Sequence, residues 1–144
     1  MNSIGLSVYA AALVILFAKF VVTISLQGLD RIRGGRFRYP EDAAHWKGEV
    51  TADSDRCDRA QRLLRNDGEG QPYFFALGAL YLVLGAWPLG APIYFGVYTL
   101  SRVLHALWLF RGTQPHRNRA FGLGLLTLVV MAGHVAYEAV GRLY

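Results

Sequence analysis

Apolar residues gather in four long runs, and the polar ones fall mostly between them. The first run, "IGLSVYAAALVILFAKFVVTISL", is interrupted only by Ser7, Lys19, Thr23 and Ser25, and it exceeds the roughly 20 residues that a helix needs to cross hydrocarbon. Further runs open at Tyr73, Ile93 and Ala120 and close at Trp87, Phe110 and Val140. Neither strand alternation nor a strong hairpin signal competes with them. The pattern predicts an all-α integral membrane protein in a single domain over residues 1–144. Its four transmembrane helices lie at about 4–27, 56–87, 91–111 and 119–141, with a long polar loop at 28–55. The turn "WPLGAP", marked by Pro88, Gly90 and Pro92, joins the second helix to the third. A signal peptide is the competing account of the first run, but "MNSIG" carries no positive charge and the run is longer than a signal core.

Charge orients the bundle. Arg31, Arg33, Arg36, Arg38 and Lys47 sit in the first connection and Arg111, Arg117 and Arg119 around the third, while "WPLGAP" has no charge. Basic residues near span ends favour the cytoplasmic side, so the polar connections are expected there and both termini opposite. The second helix is expected to start ahead of its apolar part, in "DRCDRAQRLLRND", capped by Asp53, Ser54 or Asp55, with Pro72 as a candidate kink.

Composition agrees with a membrane protein: 53% of the 144 residues are hydrophobic and 13% aromatic. The net charge of +5 would suit nucleic acid on a soluble fold, but the surrounding sequence is too apolar for that partner. Cys57 is the one cysteine, which excludes an intrachain disulfide framework, and no metal-ligand spacing appears.

The chemistry-bearing residues cluster in the second and third helices. Arg62, Asn66, Glu69 and Tyr73 fall at spacings of four, three and four, so they share a helix face, and Arg65 lies one turn from Glu69. Cationic donors, an amide and a carboxylate together suit a small zwitterion carrying carboxylates and an amine. A solvated, salt-bridged helix end explains the same spacing. In "YTLSRVLHALWLF", Arg102 and His105 lie three apart inside an apolar span, where a charge is costly and faces the bundle interior. Asp67 or Glu69 is the expected partner of Arg102, as a register-fixing pair or as part of a ligand site. Lys19 is expected to snorkel to the headgroups, and His134 and Glu138 to be structural or interfacial. Pro115, Arg117 and Asn118 stand where a loop meets a helix start, a natural place for an anionic group. No nucleophile, base and orienter arrangement is visible, so an enzyme built on this chain would activate a bound cosubstrate.

These residues carry a resemblance. "AKFVVT", "RIRGGRFRYPEDA", "RLLRNDGE", "SRVLHALWL" and "PHRNRAF", in that order over most of the chain, resemble the MAPEG family, the membrane-associated proteins in eicosanoid and glutathione metabolism. They lie nearest to its branch of microsomal prostaglandin E synthases and microsomal glutathione transferases. The resemblance implies a homotrimer of four-helix bundles that binds glutathione as cosubstrate between neighbouring subunits. It places Arg31, Arg65, Asn66, Glu69, Arg102, His105 and Arg117 around the tripeptide, with Arg117 and Asn118 beside its thiol. Nearby cations would favour the thiolate. Three positions depart from the prostaglandin synthase branch: Leu109 and Phe121 stand where it has tyrosines, and Asn118 where it has a serine. Loss of these hydroxyls weighs against an isomerase. The expectation is therefore a glutathione transferase, extending to peroxidase activity, that acts on lipophilic electrophiles or lipid hydroperoxides in a lipid membrane. The alternatives are a prostaglandin-E-synthase-like isomerase and a binding or scaffold protein without catalysis.

Overall fold

The computed structural model describes residues 3–143; the outermost ends of the expected 1–144 domain lie outside them. In chain order the elements are α1 (Ser3–Gly34), β1 (Arg36–Phe37), α2 (Pro40–Trp46), β2 (Glu49–Val50), α3 (Asp55–Val83), α4 (Gly90–Arg111) and α5 (His116–Gly141). Four long helices pack side by side and the fifth is a short one. Three of them, α1, α4 and α5, are long and apolar enough to cross a membrane. Helix α3 is not in that group because its first half, through Glu69, is charged.

Helix α1 buries only Gly5, Ala12, Leu16 and Thr23, a single stripe at spacings of seven, four and seven, while Val14, Phe17 and Val22 stay exposed. A helix apolar all round with one packed stripe needs an apolar medium for the rest of its surface. The core is aromatic: Phe74, Tyr81, Phe95 and Tyr98 are at most 1% exposed, and Phe74 and Tyr98 stack with ring centres 4.2 Å apart. Gly78 lets α1 approach closely, since a Cβ there would stand 2.6 Å from the Tyr9 ring.

The expected loop at 28–55 is a folded unit instead. Helix α1 runs on to Gly34 and is ended by Gly35 in a left-handed turn at φ 60°. Two-residue strands β1 and β2 then pair in parallel, Arg36 with Glu49 and Phe37 with Val50, with α2 between them. Pro40 opens α2 and Glu41 and Asp42 occupy its first turn, all favourable at the positive helix end. Phe37 is buried against Gly48, where a side chain would lie 2.5 Å from that ring and from the Gly35 carbonyl. Among the three candidate caps of α3, Ser54 takes the position, accepting the Cys57 N–H at 3.1 Å, and the helix continues through Pro72.

Candidate functional site

The charged first half of α3 runs beside the last turns of α4 and the first turn of α5, and a cleft of about 470 Å³ opens among them. Helix α3 contributes Arg62, Arg65, Asn66 and Glu69, α4 gives His105 and Leu109, and α5 gives Arg117, Asn118 and Phe121. Tyr73 is 66% exposed and lies beyond the cleft, because eleven residues of helix put it about 16 Å along the axis from Arg62.

Arg65 Nε donates to Glu69 Oε1 at 3.3 Å, and both side chains are largely in the open. An exposed pair of this kind is worth at most about 1 kcal/mol, so either partner can turn to a ligand. His105 is buried, and its Nδ1 lies 3.2 Å from the Arg117 carbonyl. A carbonyl oxygen only accepts, so Nδ1 carries the hydrogen and holds the imidazole edge against the start of α5. The cleft thus holds three arginines and one carboxylate, with an amide on each side at Asn66 and Asn118 and an apolar wall of Leu109 and Phe121. That surplus suits an anionic ligand with several acceptor oxygens and a single cationic group.

Arg102 stands behind this wall. Its guanidinium donates to Asp67 Oδ1 at 2.9 Å, makes a long contact of 3.5 Å with Asn66 Oδ1, and lies 5.6 Å from the centre of the Phe121 ring. Of the two expected acidic partners, the structure uses Asp67. Lys19 does not snorkel: its side chain, 9% exposed, turns into the bundle and reaches Asp67 Oδ2 at 2.5 Å. A carboxylate within the bundle gave it a nearer partner than the headgroups, and a buried ammonium needs one.

Arg31 does not line the cleft. Its Nε and Nη2 each donate at 2.9 Å to the two oxygens of Asp53, which also takes Arg38 Nε at 2.7 Å. The Arg31 hydrogen bond, helped by Arg38 and opposed by desolvation, holds the Asp53 carboxyl below its ordinary range. His134 and Glu138 lie toward the opposite end, where His134 Nδ1 meets the Tyr94 hydroxyl at 3.1 Å among the rings of Tyr81 and Trp87. Among the described residues no cluster of three or more metal-ligating side chains occurs.

Comparison with known proteins follows the same outline. The sequence profile of the MAPEG family matches residues 6–137. Prostaglandin E synthase of Canis lupus familiaris is 34% identical over 87% of this chain and 83% of its own length. Those of Macaca fascicularis and Homo sapiens are each 32% identical over 99% of this chain and 95% of their own.

Proposed function

Because this chain belongs to the MAPEG family, we propose that it is a membrane-bound glutathione transferase, with glutathione peroxidase activity at the same site. Glutathione brings two carboxylates, one ammonium group and a thiol. The cleft answers with Arg65 and Asn66 for the carboxylates and Glu69 for the ammonium group, which is the observation that carries the reading. Arg117 and Asn118 stand beside the thiol, where a guanidinium and an amide stabilise sulfur as thiolate. Leu109 and Phe121 offer the apolar flank along which a lipophilic electrophile or lipid hydroperoxide would approach. Holding both reactants at this border supplies proximity.

Arg31 does not line the cleft of its own chain, so in a homotrimer it would serve the site of a neighbouring copy. All four long helices cross the bilayer, with the charged half of α3 at the membrane surface. The basic residues of the α2 unit and of the connection before α5 support the reading that this surface faces the cytoplasm. A glutathione-dependent isomerase is the second reading, favoured by the prostaglandin E synthases at 32% identity. The apolar side chains of Leu109 and Phe121 at the cleft favour the transferase over it.

The test is a titration of detergent-purified protein with glutathione, read by ultraviolet thiolate absorbance. An electrophilic aryl halide, an organic hydroperoxide and a prostaglandin endoperoxide are then added separately. Turnover of the halide or the hydroperoxide supports the proposal, and turnover of the endoperoxide alone supports the isomerase. Thiolate formation with no turnover marks a binding protein, and no binding removes glutathione altogether.

A further inference from the structure

Among the described residues, three charged side chains meet inside the bundle, out of reach of most solvent. Lys19 on α1 and Arg102 on α4 share one carboxylate, that of Asp67 on α3, each taking a different oxygen, at 2.5 and 2.9 Å. The three side chains are 9%, 3% and 8% exposed. Among the described residues no second acid bonds either cation, since Glu69 is paired with Arg65. Two cations on one anion leave a surplus of one positive charge. Inside an apolar bundle such a surplus is screened little by salt and reaches further than a surface charge would.

Its direction of reach is fixed by what Arg102 touches. Asn66 and Phe121, both contacted by Arg102, are themselves part of the cleft lining. The surplus charge therefore sits directly behind the cleft. The polar groups around it are His105 and Tyr98 on α4, Asn66 on α3 and Thr23 on α1, none of them an acid. The Nε of Arg102 is buried with no hydrogen-bond acceptor, so the guanidinium keeps one donor unsatisfied.

We propose that Lys19, Asp67 and Arg102 form a charge-setting triad whose surplus positive charge holds bound glutathione as its thiolate, an inference that rests on the glutathione reading above. Arg102 contributes through its field, and Lys19, remote from the cleft, is a positioning residue that fixes the net charge of the triad. The S–H bond of glutathione breaks with its electron pair left on sulfur, and the proton passes to water at the exposed mouth beside Arg62 and Arg65. No other reactant is needed. The triad supplies from behind the wall what the apolar Leu109 and Phe121 cannot donate from its surface.

A unit charge about 10 Å away, at an effective dielectric near 20, moves a thiol pKa by about one unit. Charge counting gives opposite signs for two substitutions. Lys19→Met makes the triad neutral and should raise the pKa of bound glutathione by about one unit. Asp67→Asn leaves both cations and should lower it by a similar amount. The double variant Lys19→Met/Asp67→Asn keeps one surplus charge and should return close to wild type, and Lys19→Arg should match wild type. The experiment is a pH titration of thiolate absorbance for each variant at saturating glutathione, with thermal unfolding to establish that each is folded. Opposite shifts, with the double variant near wild type, support the triad. Equal shifts of one sign, no shift, or a double variant worse than either single would overturn it, as a packing role predicts. Where Asp67→Asn does not fold, Lys19→Met against Lys19→Arg decides alone. Absent glutathione binding in the wild type overturns the functional reading instead and is seen before any variant is made.

Discussion

Asp53 closes both prongs of the Arg31 guanidinium, at 2.9 Å each, and its side chain is fully buried in doing so. The pair ties the end of α1 to the residue before the cap of α3, and Arg38 adds a second clamp at 2.7 Å. Because Arg31 holds the Asp53 carboxyl below its ordinary range, this stabilisation is fully present above the unfolded value near 4. It should be lost as pH falls through the lower folded value. Melting temperature should therefore be insensitive to this pair from about pH 8 to 5 and fall in acid. Asp53→Asn should cost about 1–3 kcal/mol at neutral pH and flatten that acid limb. A variant with the wild-type acid profile would show the clamp to be inert.

Arg117 and Glu69 line the cleft from α5 and α3. Each loses a charge-assisted hydrogen bond on truncation, about 1.5–3 kcal/mol, or roughly 10- to 150-fold in affinity. Arg117→Ala and Glu69→Ala should weaken glutathione binding by that factor while melting temperatures hold. Unchanged affinity in both, by calorimetry or thiolate titration, rules out this cleft as the glutathione site.

The proposed trimer has a sharper consequence. If Arg31 serves the cleft of a neighbour, Arg31→Ala and Arg117→Ala disable different halves of a shared site. Co-expressed, the two inactive chains should recover about a quarter of wild-type activity by random mixing around a closed ring. No recovery in assemblies shown to contain both chains would place Arg31 outside the site.

Asn118 is exposed at the first turn of α5, with its amide toward the cleft. If it donates to the thiolate as sulfur attacks, Asn118→Ala should lower kcat by about tenfold, the worth of one amide hydrogen bond, with little change in KM. A rise in KM at constant kcat would make it a binding residue.

Packing yields a prediction independent of function. At Gly78 an added Cβ meets Tyr9 at 2.6 Å and Phe95 at 3.2 Å. Gly78→Leu should destabilise the bundle by about 1–3 kcal/mol through overpacking, read as a lower melting temperature. An unchanged value would show that α1 can back away without loss.

The long apolar runs were legible because helical membrane segments announce themselves by length alone. The face of Arg62, Asn66 and Glu69 was legible because spacings of four and three are local, and in the structure these three line one cleft. Tyr73 continued the spacing but not the cleft, since angular position on a helix says nothing of where a neighbour ends. Lys19 was misread because its partner, Asp67, is 48 residues away and nothing near it in sequence advertises a carboxylate inside the bundle. Arg31 hid its partner in the same way, across 22 residues. The unit between α1 and α3 went unseen because two-residue strands are too short to show any period. Its legible marks, Gly35 and Gly48, become informative only once Phe37 is known to pack against Gly48.

That folded connection also bears on how copies of the chain can associate. Exchange of an end element between protomers needs a hinge that can straighten. Here the segment leaving α1 is turned at Gly35, paired along β1 and β2, and clamped by Asp53 to Arg31 and Arg38. Straightening it would break all of these at once and expose Phe37. Any exchange of first helices between copies would carry that whole cost, which favours α1 staying in the bundle of its own chain.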